Sequence, residues 1–142
     1  MTAPLSPTTF SPELSQEFGL QIYLKPEIHS ATGSYKDRLG PAAVAEAIQA
    51  GATKVVATSS GNQGLAIAHA ARAAGIPCLI LATQHILPVY RNTLRELGAE
   101  LQTVPDMKAR TVALHEKIKE GWFPLSVAPE DRGRRVQLGK SG

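Results

Sequence analysis

Apolar positions along the chain gather into short runs separated by longer periodic segments. "QIYLK" (21–25), "KVVAT" (54–58), "PCLILA" (77–82) and "AELQTV" (99–104) are short and apolar, which predicts strands covered on both faces. Between and after them lie "AAVAEAIQA", "QGLAIAHAARAA", "LPVYRNTLREL" and "MKARTVALHEKIKE", whose spacing predicts helices. Each is closed by a glycine (Gly51, Gly75, Gly98 and Gly121), as expected where a left-handed cap ends a helix. Strand and helix alternate at roughly two dozen residues per unit, so right-handed crossovers are expected. The predicted fold is α/β, doubly wound, with a mostly parallel sheet of about four strands and helices on both faces.

Prolines mark the edges of this pattern. Pro4, Pro7 and Pro12 predict an irregular arm over residues 1–20, ahead of an α/β lobe over 21–128 and a polar tail over 129–142. Pro41 falls where a helix begun near Ser34 would reach its second turn, which predicts a kink or a restart at Gly40-Pro41. The stretch "GWFPLSVAP" has no period of its own, so if the chain is a lobe severed from a partner domain, Trp122 and Phe123 are expected to have lost contacts and to leave apolar surface uncovered.

A chain of 142 residues, 43% of them hydrophobic, can bury one real core. The formal charge of +3 is scattered apart from "DRGRR", and only 5% of residues are aromatic, which argues against nucleic acid as a partner. Cys78, alone in an apolar run, suits a buried thiol in a reducing, cytoplasmic setting. No stretch approaches the roughly 18 to 20 apolar residues of a membrane span, and no metal-ligand pattern is present.

In a parallel sheet, ligands collect at the carboxyl ends of strands, where loops present backbone N–H groups at helix N-termini. Two loops are placed to do this. "TSSGNQG" follows "KVVAT" and gathers Ser59, Ser60, Gly61, Asn62 and Gln63 into a nest that suits a carboxylate or a phosphate. The bland alternative is that Ser60 or Asn62 caps the helix. "ATGSYKDR" carries Lys36 in the first turn of a helix. There the dipole and partial burial would favour a neutral, nucleophilic amine able to form a Schiff base. Its bland alternative is a surface lysine paired with Asp37 or neighbouring acids. Asp37 and Arg38 read as structural.

Together, "IYLKPEIHSATGSYKDR" and "VVATSSGNQGLAIAHAARAAGIPCLIL", with lysine and asparagine 26 residues apart, resemble the pyridoxal-phosphate enzymes of the tryptophan synthase beta family. That group includes cysteine synthase, threonine synthase and serine/threonine dehydratase. The resemblance covers residues 20 to 105 well. It implies that Lys36 carries pyridoxal 5'-phosphate as a Schiff base and moves the substrate's α proton. By the same resemblance Asn62 hydrogen-bonds the cofactor's phenolic oxygen, and Ser59, Ser60, Gly61, Asn62 and Gln63 grip the substrate's α carboxylate. "GSYKDR" leans towards the threonine synthase and cysteine synthase branches, so the implied activity is that of a lyase or synthase lobe acting on a small amino acid.

The family's run of glycines for the cofactor phosphate is not found, since no two of the 12 glycines are adjacent. Two expectations follow. Either the chain is one lobe of a longer enzyme, inactive until a second lobe or a homo-oligomer covers Lys36 and Asn62, or it is a free-standing, non-catalytic domain that binds a small anionic ligand or a partner protein. A nucleotide-binding domain fits less well, because "SSGNQG" matches neither G-x-G-x-x-G nor the P-loop.

Overall fold

A computed structural model describes residues 6–125. The "KVVAT", "PCLILA" and "AELQTV" runs form β3 (Val55–Thr58), β4 (Cys78–Thr83) and β5 (Glu100–Val104). They lie in a four-stranded parallel sheet of order β5-β4-β3-β6, in which β6 is Phe123–Pro124. Val55, Val56 and Ala57 are fully buried, as are Ile80, Leu81 and Ala82. Period-two alternation divides these side chains between two cores. Val55, Ala57, Ile80 and Ala82 pack with α2 (Leu39–Gln49), α3 (Asn62–Ala74) and α4 (Pro88–Glu96) on one face. Val56, Leu79, Leu81 and Val104 pack with α5 (Met107–Lys119) on the other. The doubly wound expectation holds, with three helices on one side and one on the other.

Each of the four glycines that follow these helices has φ between +70° and +86°. At Gly75, for example, the left-handed turn lets the glycine N–H return to the carbonyls of Ala71 and Arg72.

Gly40 meets a different demand. A Cβ placed there would stand 2.6 Å from the carbonyl carbon of Ala66, so only glycine lets α2 cross α3 at this point. Pro41 does not restart the helix. A 3₁₀ turn, Tyr35–Arg38, runs directly into α2, and Pro41 is the third residue of α2, within its first turn, where proline is tolerated.

"QIYLK" is not a strand of the parallel sheet. Only Tyr23–Leu24 (β2) is extended, and it pairs antiparallel with β1 (Thr9–Phe10), with the rings of Phe10 and Tyr23 5.3 Å apart. The arm expected to be irregular holds a helix, α1 (Pro12–Phe18), with Pro12 in its first turn and Gly19 in the left-handed region after its end. Proline there starts a helix rather than breaking one.

The fourth strand of the sheet comes instead from "GWFPLSVAP". Phe123 N–H donates to the Lys54 carbonyl (3.0 Å) and Leu125 N–H to that of Val56 (2.9 Å). Pro124 falls between these donors on an edge strand, where no N–H is required of it. Trp122 and Phe123, expected to stay uncovered, are only 9% and 8% exposed. Exposed apolar side chains lie elsewhere: Phe10, Phe18, Leu20, Tyr23, Leu24 and Ile28 are consecutive among them near the start of the described residues, and others, Tyr35, Leu39 and Val89 included, are scattered along the chain. The polar tail expected over 129–142 lies outside the described residues.

Candidate functional site

The loop leading to Lys36 is organised around a buried carboxylate. Asp37, 6% exposed, accepts from the N–H of Thr32 through Oδ2 (2.7 Å) and from its hydroxyl through Oδ1 (2.5 Å). Burial raises its pKa, but the hydrogen bonds from Thr32, with those at Ser30 and Ser34, outweigh burial and hold the carboxyl below its ordinary value. Ser34 Oγ accepts from the Lys36 N–H (3.3 Å) and so caps the 3₁₀ turn. Arg38 turns outward to Glu27 (2.7 Å) and Ser6 (2.7 Å). Asp37 and Arg38 are thus structural, although they do not pair with each other.

Lys36 therefore has no claim on its neighbouring aspartate. Its Nζ lies 4.8 Å from the centroid of the Tyr35 ring, and among the described residues it makes no ion pair. Lys36 itself is partly buried.

The second loop sits at the carboxyl end of β3. Ser59 Oγ accepts from the N–H groups of Gly61 (3.2 Å) and Gly64 (2.9 Å) and so caps the first turn of α3. The capping role anticipated for Ser60 or Asn62 thus falls to Ser59, which is drawn into the loop. Ser60 Oγ accepts from the N–H of Thr83 at the end of β4 (3.4 Å). Gly64 sits close against its neighbours: a Cβ there would stand 3.2 Å from Ser59 Cβ and 3.4 Å from Ile80 Cγ2, so Ser59 would have to give way by a few tenths of an ångström. Asn62 is exposed at the head of α3, with its Oδ1 accepting from the hydroxyl of Tyr90 (3.0 Å). Gln63 follows it, partly buried.

The crossing of α2 and α3 brings the two loops to one end of the sheet. α3 leaves the carboxyl end of β3, and α2 returns to its amino end, so both helices oppose the strand and start at the same edge. Lys36 precedes Gly40, and Asn62 precedes Ala66, by four residues each, about one helical turn from the point of contact. Beside the Lys36 turn runs an open groove lined by Tyr35, Arg38, Leu39, Ala42, Ala43 and Leu125. Neither Lys36 nor Asn62 lines it.

These groups fit one side of pyridoxal 5'-phosphate. An amine without an acidic partner among the described residues suits its aldehyde. An amide whose oxygen is already engaged leaves N–H donors for its phenolic oxygen, and the head of α3 suits a carboxylate. Two contributors lay beyond sequence reasoning, the Thr32–Asp37 clasp and Tyr90. The one signal for Tyr90 is its place in the first turn of the helix that follows the next strand.

The family described as pyridoxal-phosphate dependent enzyme matches residues 3–131. Threonine synthase from Mycobacterium leprae is 39% identical over 79 residues, 56% of this chain and 22% of that protein. The L-serine dehydratase/L-threonine deaminase of Mus musculus is 31% identical over 125 residues, 85% of this chain and 38% of that protein. The crystal structure of cysteine synthase from Entamoeba histolytica superposes with a TM-score of 0.79 at 23% identity, covering 87% of this chain and 41% of that one, and so shares the fold. The chain thus spans well under half the length of the relatives it matches. Among the described residues, no helix is long and apolar enough to cross a membrane.

Proposed function

Because the chain belongs to the pyridoxal-phosphate dependent enzymes, whose cofactor is pyridoxal 5'-phosphate, we propose that it is a lyase or synthase lobe of the threonine synthase or cysteine synthase type, acting on a small amino acid. The observation that carries this reading is Lys36, an amine with no acidic partner among the described residues, on a turn fixed against α3 one helical turn from the Gly40 crossing. The bound cofactor supplies an electron sink. Lys36 holds it and moves the proton at the substrate's α carbon. Asn62 donates from its amide to the cofactor's phenolic oxygen. Ser60, Gly61, Asn62 and Gln63, at the dipole end of α3, receive the substrate's carboxylate. Ser59 serves that nest by holding its shape rather than by direct contact.

The wall opposite Lys36 and Asn62 comes from a second lobe or a homo-oligomeric partner, for which the exposed Tyr35 and Leu39 beside Lys36 provide apolar surface. A cytoplasmic setting agrees with the lone Cys78. Burial first, and the Glu100 carboxylate second, push its thiol up to about 12, which keeps it from reacting as a thiolate. The test is to titrate the chain with pyridoxal 5'-phosphate, follow the visible absorption band, fix the label with borohydride and map it. The expected result is one labelled residue, Lys36. Even labelling of many lysines, or equal labelling of Lys36→Ala, would reject the site and favour a non-catalytic domain.

A further inference from the structure

Asn62 is exposed at the head of a helix, where an amide side chain would ordinarily sample several rotamers and either of its two flips. Here one phenol constrains it. Tyr90, in the first turn of α4, packs its ring against the larger core, and its hydroxyl reaches across to donate to Asn62 Oδ1 at 3.0 Å. The same ring stands over the loop backbone: a Cβ on Gly61 would lie 3.8 Å from Tyr90 Cζ and 4.0 Å from its hydroxyl oxygen. Tyr90 thus covers Gly61 with an apolar face and holds Asn62 with a polar tip, from an anchor in the core.

A neutral amide has an acceptor end and a donor end. Once Tyr90 occupies Oδ1, Nδ2 with its two N–H groups is the end left for another acceptor. We propose that Tyr90 is a positioning residue that fixes the Asn62 amide with its donors turned to the cofactor's phenolic oxygen. This rests on the function proposed above, because it gives Asn62 an acceptor to face. Tyr90 itself touches neither cofactor nor substrate and acts only through Asn62. The tyrosine also ties the proposed site to β4 and α4, so three successive strand-to-helix junctions contribute to it.

Tyr90→Phe keeps the ring over Gly61 and removes the hydroxyl alone. Two measurements test the inference. In the cofactor-free chain, nitrogen relaxation of the Asn62 side-chain amide should show a rigid group in the wild type and a mobile one in Tyr90→Phe. In titrations with pyridoxal 5'-phosphate, Tyr90→Phe should bind about three- to ten-fold more weakly, the worth of one hydrogen bond. Its visible band should also shift, while its melting temperature stays that of the wild type. The loss should vanish when Asn62→Ala is already present, because the hydroxyl then has nothing to orient. Equal binding by wild type and Tyr90→Phe, or an undiminished loss in the Asn62→Ala background, would overturn the role of Tyr90 while leaving the Lys36 site standing. A wild-type chain with no Lys36-dependent band would overturn the functional reading and this inference with it, whatever the relaxation data show.

Discussion

The two loops that meet at the edge of the sheet are held in different ways. The loop before Lys36 closes on a buried charge, Asp37, which binds Thr32 through both carboxylate oxygens. The loop before Asn62 closes on a neutral hydroxyl, Ser59, which binds the N–H groups of Gly61 and Gly64. The first follows a two-stranded antiparallel element whose side chains are mostly exposed. The second issues from a strand with three fully buried residues. A loop launched from a buried strand inherits its position and needs only a cap. One launched from a weak element must build its own framework, and a buried carboxylate with charge-assisted hydrogen bonds can supply it.

The largest effect should come from breaking the joint between the two loops. Gly40→Ala would drive a methyl into the Ala66 carbonyl, which can yield only if α2 and α3 separate. The gain in helix propensity, about 1 kcal/mol, cannot offset a backbone collision. The expected net loss is about 3 kcal/mol or more, read from denaturant unfolding, with Lys36 labelling reduced because its turn moves away from α3. A variant of wild-type stability would mean that the crossing is looser than described.

Next in size is the Lys36 loop itself. Asp37→Asn should cost about 2 kcal/mol, the range for hydrogen bonds to a charged group, and the cost should depend on pH. Asp37 is held below its ordinary value when folded, so its contribution is full well above about pH 3.9, the unfolded aspartate value. It is lost as pH falls through the folded value. The stability difference between wild type and Asp37→Asn should therefore be flat at neutral pH and shrink only in the acid range. A difference that grows on acidification would contradict the assignment. Ser59→Ala, by contrast, removes a neutral cap and should cost about 1 kcal/mol without any pH dependence in the same experiment.

The same contrast explains what could be read in the sequence. β3 and β4, with the four glycine-ended helices, were legible because burial on both faces and a left-handed cap each leave a local mark, whereas β5, expected to be covered on both faces, is an edge strand in which only Val104 is buried. The pairing of Tyr23–Leu24 with Thr9–Phe10 was not, because a short apolar run does not reveal its partner. Nor was the seat of Phe123–Pro124 against β3, since a two-residue edge strand has too little length for a period and proline argues against it until the hydrogen-bond parity is known. Within the site, Lys36 and Asn62 stood out because their motifs are contiguous. Tyr90 lies 28 residues beyond Asn62, and the Thr32–Asp37 clasp joins residue types that any turn could hold.

The smallest effect on stability should come from the residue that matters most to the proposed chemistry. Among the described residues Lys36 makes no ion pair, and its Nζ meets the exposed ring of Tyr35, a contact worth about 0.5–1 kcal/mol at the surface. Lys36→Ala loses that contact and gains a little helix propensity, so unfolding should shift by about 0.5 kcal/mol or less. The pH profile should match that of the wild type, because the Asp37 framework is intact. Labelling by pyridoxal 5'-phosphate should nevertheless disappear. That combination is what a group held ready for a ligand produces: its neighbour Asp37 contributes to folding, and Lys36 is left to contribute to binding. If Lys36→Ala proved as destabilising as Asp37→Asn, the lysine would belong to the framework of its loop. The contrast between a supporting carboxylate and an idle amine would then collapse, together with the strongest structural argument for Lys36 as the cofactor's anchor.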